Sequence, residues 1–258
     1  MLSKAKIKLI QSLEHKKNRR EEGLFVAEGP KVVGDLLPHF TCRLLVAEAT
    51  WLSSHRDIQA AEIIEATADE LRKSSFLKAP QQVLALFELP SHPVPHSIDE
   101  GELCLALDDV QDPGNLGTII RVADWFGIRH IFCSRGTADA FSPKTIQATM
   151  GAIARVKTHY VDLPEYLQSL RETSPQTPFY GTFLEGTNIY KETLTTGGII
   201  IMGNEGKGIS KQVQQLVTHK LLIPNYPEGC ATSESLNVAI ATAITCAEFR
   251  RRGLRVEG

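Results

Sequence analysis

The chain has 258 residues, is 42% hydrophobic and 22% charged, and carries 28 Lys+Arg against 30 Asp+Glu for a formal net charge of -2. These proportions describe a globular protein of one large or two ordinary domains. They supply no run of about 18 uninterrupted apolar residues for a membrane span and no overall cationic excess that would by itself suggest a nucleic-acid partner. The five cysteines (Cys42, Cys104, Cys133, Cys230 and Cys246) are scattered and form no CxxC pair, so neither a disulfide framework nor a zinc or other metal site is expected, and a reducing cytoplasm is the expected compartment.

The first twenty residues hold Lys4, Lys6, Lys8, Lys16, Lys17, Arg19 and Arg20 against the single acid Glu14, without the apolar core or cleavage site of a signal peptide. Two readings stand: a solvated basic helix, or a surface that contacts phosphates. The runs "GLFVAEGPKVVGDLL", "RLLVAEATWL", "IIEATADELRKS" and "QQVLALFEL" alternate short apolar stretches with helical patterns. They predict a small α/β domain of about ninety residues. "ELPSHPVPHSIDEGE" (Glu88 to Glu102), with three prolines in a short polar stretch, reads as a linker. The expected domains are residues 1–92 and 98–258.

Beyond the linker, strands are predicted at "LCLALDD", "HIFCS", "ARVKTHYV", "FYGTFL", "GIIIMGN" and "HKLLIPN", with helices between most of them. That alternation implies a mostly parallel sheet covered on both faces. After "LALDD" comes "VQDPGNLG" and then a helix, with Asn115 as its expected N-cap and Gly127 as its stop. Leu116, Ile119, Ile120, Ala123 and Phe126 fall on one face of this helix; Arg121 lies nearly opposite, with Trp125 one turn further on. Arg121 is either a surface arginine or a side chain directed at a site beyond the strand ends, where open α/β sheets bind ligands.

The strand "IIIMG" runs into Asn204, Glu205, Gly206, Lys207 and Gly208. With Gly203, this gives three glycines in six residues, which lets backbone groups approach a ligand closely. The spacing fits neither GxGxxG nor a phosphate loop. "LLIPNYPEG" repeats the theme, with Pro224 breaking a strand before a long turn. Ser235 is then the expected N-cap of a helix, "LNVAIATAITCAEF", that is apolar on almost every side and needs cover from the domain core or from a partner subunit.

"DDVQDPGNLGTIIRVADWFGI", "IIIMGNEGKGIS" and "LLIPNYPEGCATSESLNVAIA" resemble, in order, motifs one, two and three of the SpoU/TrmH family of RNA 2'-O-ribose methyltransferases. The likeness spans roughly residues 103–250, and the N-terminal part more loosely resembles the ribosomal-protein-like RNA-binding domain of longer members. The turn between Pro224 and Ser235 is longer than in most members. The resemblance implies a SPOUT fold, a parallel sheet whose C-terminal segment is threaded into a trefoil knot, and a homodimer that binds S-adenosylmethionine (SAM). By matching position it implies Asn115, Arg121, Glu205, Ser235 and Asn237 as catalytic residues. SAM would lie against Gly203, Asn204, Gly206, Ile223, Pro224 and Leu236. Because a guanidinium is a poor base, Arg121 is expected to clamp the target phosphate and stabilise a developing alkoxide. The implied substrate is structured RNA, ribosomal rather than transfer RNA on the strength of the extra N-terminal domain. A transfer-RNA enzyme and a catalytically silent RNA-binding protein of the same fold are the alternatives.

Overall fold

Two sheets organise the chain in a computed structural model, which describes residues 2–227, 230, 233 and 235–253. The first sheet is built from β1 (Leu24–Glu28), β2 (Cys42–Ala47), β3 (Ile63–Glu65) and β4 (Val83–Glu88), in the order β1-β4-β2-β3. β4 runs antiparallel to both neighbours, whereas β2 and β3 are parallel. The helices α1 (Lys4–Ser12), α2 (Lys16–Glu22), α3 (Pro30–Leu36), α4 (Ala49–Ser54) and α5 (Ala68–Ser74) accompany it. Thr67 and Glu70 form a reciprocal capping box at α5.

The second sheet is built from β5 (Leu103–Leu107), β6 (His130–Ser134), β7 (Lys157–Val161), β8 (Phe179–Asn188), β9 (Gly198–Met202) and β10 (His219–Leu222). Its order is β10-β8-β9-β5-β6-β7, and every neighbouring pair is parallel. All six strands predicted beyond the linker are present. β5 and β9 are buried at every position, as continuous apolar strands covered on both faces must be. The associated helices are α6 (Pro113–Trp125), α7 (Pro143–Thr149), α8 (Leu163–Thr173), α9 (Lys211–Gln214) and α10 (Val238–Gly253). Among the described residues no helix is long and apolar enough to cross a membrane.

Packing divides the chain into two units. The first comprises the residues up to Ser91 together with Asp139–Ala154; the second comprises His92–Ala138 and the residues from Arg155 onward. The segment containing α7 therefore belongs with the N-terminal residues, although it is inserted between β6 and β7. Phe141 packs against Phe25, with ring centroids 5.0 Å apart, beside Phe40 and Phe87. Arg19 is buried, donates to Asp139 Oδ2 at 2.6 Å and also donates to the carbonyls of Leu13 and Glu14. It is thus committed to the interior of the first unit, which removes it from the set of candidate phosphate contacts. Beyond Glu88, the last residue of β4, the proline-rich linker contains no helix or strand, but its second half is anchored in the second unit. Ile98 is buried, Tyr166 donates to the Pro95 carbonyl at 2.7 Å, and Thr173 donates to that of His96 at 2.7 Å.

Candidate active site

Because the strands of the second sheet are parallel, the segments after β5, β9 and β10 all leave from one edge. Open α/β sheets carry their ligand sites at this carboxyl edge. The segment after β5 turns sharply: Asp109 adopts a left-handed φ of 63°, costly for a residue other than glycine. Its neighbours hold it there. Ser134 Oγ accepts from Asp109 N at 2.9 Å and donates to Asp109 Oδ1 at 3.1 Å, and Thr137 donates to the Leu107 carbonyl at 3.1 Å.

α6 then begins at Pro113. Its cap is Asp112, whose carboxylate accepts from Asn115 N at 2.8 Å, and not Asn115 as expected from the sequence. Proline at the first helical position places the cap immediately before it. Asn115 sits in the first turn, so its side chain is free for other partners. Leu116, Ile119, Ile120 and Ala123 are buried as the spacing requires, and Gly127 closes the helix with φ 66°. Arg250 of α10 donates to the carbonyl of Phe126, the residue that caps α6, at 2.7 Å.

The segment after β9 is closed by Asn204. Its Oδ1 accepts from Gly206 N and Lys207 N, both at 3.0 Å, while its Nδ2 donates to the Asp109 carbonyl at 2.8 Å. One side chain thus shapes this loop and ties it to the end of β5. A Cβ on Gly203 would lie 2.3 Å from the backbone of Gly208 and Ile209. The close approach at Gly203 is therefore to the protein's own loop. Gly206 and Gly208 are different: an added Cβ would meet only Asn204 Oδ1 at 3.7 Å in the first case and nothing within 4 Å in the second. They leave a rim of bare backbone. Ile223 and Pro224 follow β10 and are half-buried.

Three of the expected residues meet directly. Asn115 Nδ2 donates to Glu205 Oε1 at 3.0 Å, and Asn237 Nδ2 donates to Asn115 Oδ1 at 3.0 Å. Asn237 Oδ1 in turn accepts from Ala239 N at 3.0 Å and Ile240 N at 3.3 Å. Asn237, rather than the expected Ser235, therefore caps α10. The polarity of this relay is fixed at both ends. Backbone amides can only donate, which turns Asn237 Oδ1 toward α10; an ionised carboxylate can only accept, which turns Asn115 Nδ2 toward Glu205. Glu205 and Asn237 are exposed to solvent and Asn115 is half-buried.

Arg121 is not part of this cluster. It lies six residues beyond Asn115, about 9 Å along the helix axis, is exposed and makes no hydrogen bond or ion pair with another described residue. Ser235 and Leu236 are exposed and precede the Asn237 cap. Part of the turn between Pro224 and Ser235 lies outside the described residues. Sequence reasoning missed Asn204's double role and Asp109. An asparagine inside a Gly-rich turn is a familiar loop-closing signal, whereas nothing in the sequence marks the left-handed aspartate.

Residues 102–247 match the SpoU rRNA Methylase family, and residues 4–85 match the MRM3-like substrate binding domain. The chain is 32% identical over 250 residues to the 23S rRNA (guanosine(2553)-2'-O)-methyltransferase RlmP of Bacillus subtilis, covering 95% of this chain and 96% of that one. Among solved structures it resembles a TrmH-family protein from Porphyromonas gingivalis, with 44% identity, a TM-score of 0.87, and coverage of 98% and 99% of the two chains. It also resembles an AdoMet-bound rRNA methyltransferase from Sinorhizobium meliloti, with 29% identity, a TM-score of 0.81, and coverage of 98% and 96%.

Proposed function

Since the chain belongs to the SpoU rRNA methylase family, we propose that it is a SAM-dependent methyltransferase that modifies a ribose 2'-oxygen of ribosomal RNA. The observation that carries this reading is the Asn237–Asn115–Glu205 relay, which joins the three motif segments at the carboxyl edge of the parallel sheet. The residues present suit the cofactor: Gly206 and Gly208 leave open backbone beside the half-buried Ile223 and Pro224. In this reading Gly203, Asn204, Gly206, Ile223, Pro224 and Leu236 surround it, with Asn204 and Gly203 fixing the shape of the loop.

SAM, when bound, supplies an activated methyl group, so the protein's task is alignment and charge stabilisation. The relay gives Asn115 and Asn237 fixed orientations from which to hold the ribose. Glu205 Oε2, which has no partner among the described residues, can accept from a substrate hydroxyl, and Ser235 lies two residues from the Asn237 end. Arg121, a permanent cation without a partner among the described residues, serves as the clamp on the target phosphate and stabilises the alkoxide as it forms.

The homodimer belongs to the same proposal. Trp125 on α6 is 85% exposed and Ile240 on α10 is 51% exposed, and α6 packs on α10, so the pair presents an apolar face suited to a second copy. The trefoil knot and a cytoplasmic location complete the expectation. Calorimetry with SAM and nucleoside mass spectrometry of deproteinised rRNA after incubation with the enzyme test the reading. A 2'-O-methylated nucleoside is expected in rRNA; label in transfer RNA alone would move the substrate, and SAM binding without transfer would make the chain a silent RNA binder.

A further inference from the structure

The second unit uses most of its arginines internally. Arg129 pairs with Glu102, Arg155 with Asp124, and Arg251 and Arg252 with Glu248, while Arg250 serves carbonyls of α6. Among the described residues of this unit, Arg121, Arg135 and Arg171 alone of the arginines have no hydrogen bond or ion pair. Arg171 lies in the last turn of α8, which leads away from the carboxyl edge. Arg135 directly follows β6 at that edge. Lys207, in the loop after β9, likewise has an exposed side chain with no described partner.

The backbone beneath both cations is rigidly held. Ser134 and Thr137 flank Arg135 and bond to Asp109 and Leu107. A Cβ on the next residue, Gly136, would lie 2.0 Å from Asp109 Oδ1. Lys207 N is fixed by Asn204 Oδ1. Three carboxylates of this edge are turned toward neutral donors: Asp108 toward Ser210 N, Asp109 toward Ser134 and Glu205 toward Asn115 Nδ2. Two anchored cations are thus left with unspent donors. β9 and β6 flank β5 in the sheet, so the strand ends that carry them are about 10 Å apart, with the start of the relay between them.

We infer that Arg135 and Lys207 are phosphate contacts that hold the RNA backbone across the end of β5, on either side of the target nucleotide. This rests on the reading of the chain as an RNA methyltransferase. Neither residue touches the relay, so neither is a catalytic residue; they act through the position of the strand. A guanidinium fork suits bidentate phosphate contact and the lysine a point contact.

The test is a salt titration of binding to deproteinised 23S rRNA by the full chain, by Arg135→Gln, by Lys207→Gln and by the double variant. Each single change should weaken binding about two- to fivefold at moderate salt and reduce the slope of log affinity against log salt by about one; the double variant should lose about two. Arg135→Lys should keep the wild-type slope. SAM affinity and melting temperature should not move, and kcat at saturating RNA should stay near wild type while KM for RNA rises. Unchanged slopes in both single variants would show ordinary solvated surface charges and overturn the inference. If the wild type neither binds SAM nor methylates rRNA, the enzymatic reading fails instead, and the slopes still report whether these cations touch RNA.

Discussion

Asn237 Nδ2 lies 3.0 Å from Asn115 Oδ1, and Asn115 passes the orientation on to Glu205. Replacing Asn115 with Asp removes the donor to Glu205 and sets two carboxylates at hydrogen-bond distance. Methyl transfer should fall about a hundredfold, the scale for losing one preorganised group, with little change in SAM affinity. Asn237→Ala should cost about 1 kcal/mol of stability as well, because it also removes the cap of α10. The activity losses of the two changes should be strongly non-additive in the double variant. Single-turnover rates and thermal melts measure both effects; independent, multiplying losses would mean that the relay is not a unit.

Arg121→Ala should leave the fold and SAM affinity unchanged, since the side chain is exposed and unpartnered among the described residues. It should slow methyl transfer about a hundredfold or more. Arg121→Lys should rescue poorly, because lysine lacks the planar fork. Full activity in the lysine variant, or lost SAM binding in the alanine variant, would contradict the clamp role.

Arg19 and Arg20 are adjacent in sequence and should behave in opposite ways. Arg19 is buried against Asp139, so Arg19→Met leaves an unpaired carboxylate and should cost about 3 kcal/mol, read as a lowered denaturation midpoint. Arg20 is exposed. Arg20→Gln should leave stability unchanged and, if the basic N-terminal segment contacts RNA, should reduce the salt slope of RNA binding by about one. Equal stability in the two variants would show that the buried pair does not hold the first unit together.

His130 Nδ1 and His159 Nε2 are 3.0 Å apart on β6 and β7. Burial, reinforced by the neighbouring His130 charge, lowers the His159 pKa to about 4, and burial lowers that of His130 as well. A histidine whose folded pKa lies below its unfolded value takes up its proton more readily when unfolded. The stability from the neutral pair is therefore present above about pH 6.5 and should be lost as the pH falls toward 4. Melting temperatures measured across that window should decline in the wild type and decline less in His159→Phe. Parallel curves would place the acid sensitivity elsewhere.

The centre of the second sheet was legible because β5 and β9 are apolar runs ended by turn residues, and burial at every position leaves that signature intact; the outer strands, such as the more polar β7, were placed by their alternation with helices. The relay was legible only in part. Asn115, Glu205 and Asn237 stand out as polar residues in Gly-rich or helix-starting contexts, but their mutual contacts span about ninety residues or more of sequence. The caps at Asp112 and Asn237 displaced the expected Asn115 and Ser235. Pro113 could have revealed the first; at the second, each of several polar residues could serve. The membership of residues 139–154 was not legible. "AFSPKTIQATMGAI" reads as one more helix of the sheet domain, and only the three-dimensional pairing of Asp139 with Arg19 and of Phe141 with Phe25 assigns it to the first unit.

A protease that cuts once in the proline-rich stretch severs the peptide but not the first unit. Phe141 stays against Phe25 and Asp139 stays paired with Arg19, although they now belong to different fragments. The nicked protein should therefore elute as one species in native buffer and separate only in denaturant. By the same logic, a gene fragment ending at Ser91 encodes an unfinished domain. Its product would expose the side of Phe25 that Phe141 covers and leave Arg19 without its carboxylate, which makes it a candidate for aggregation rather than a usable RNA-binding module.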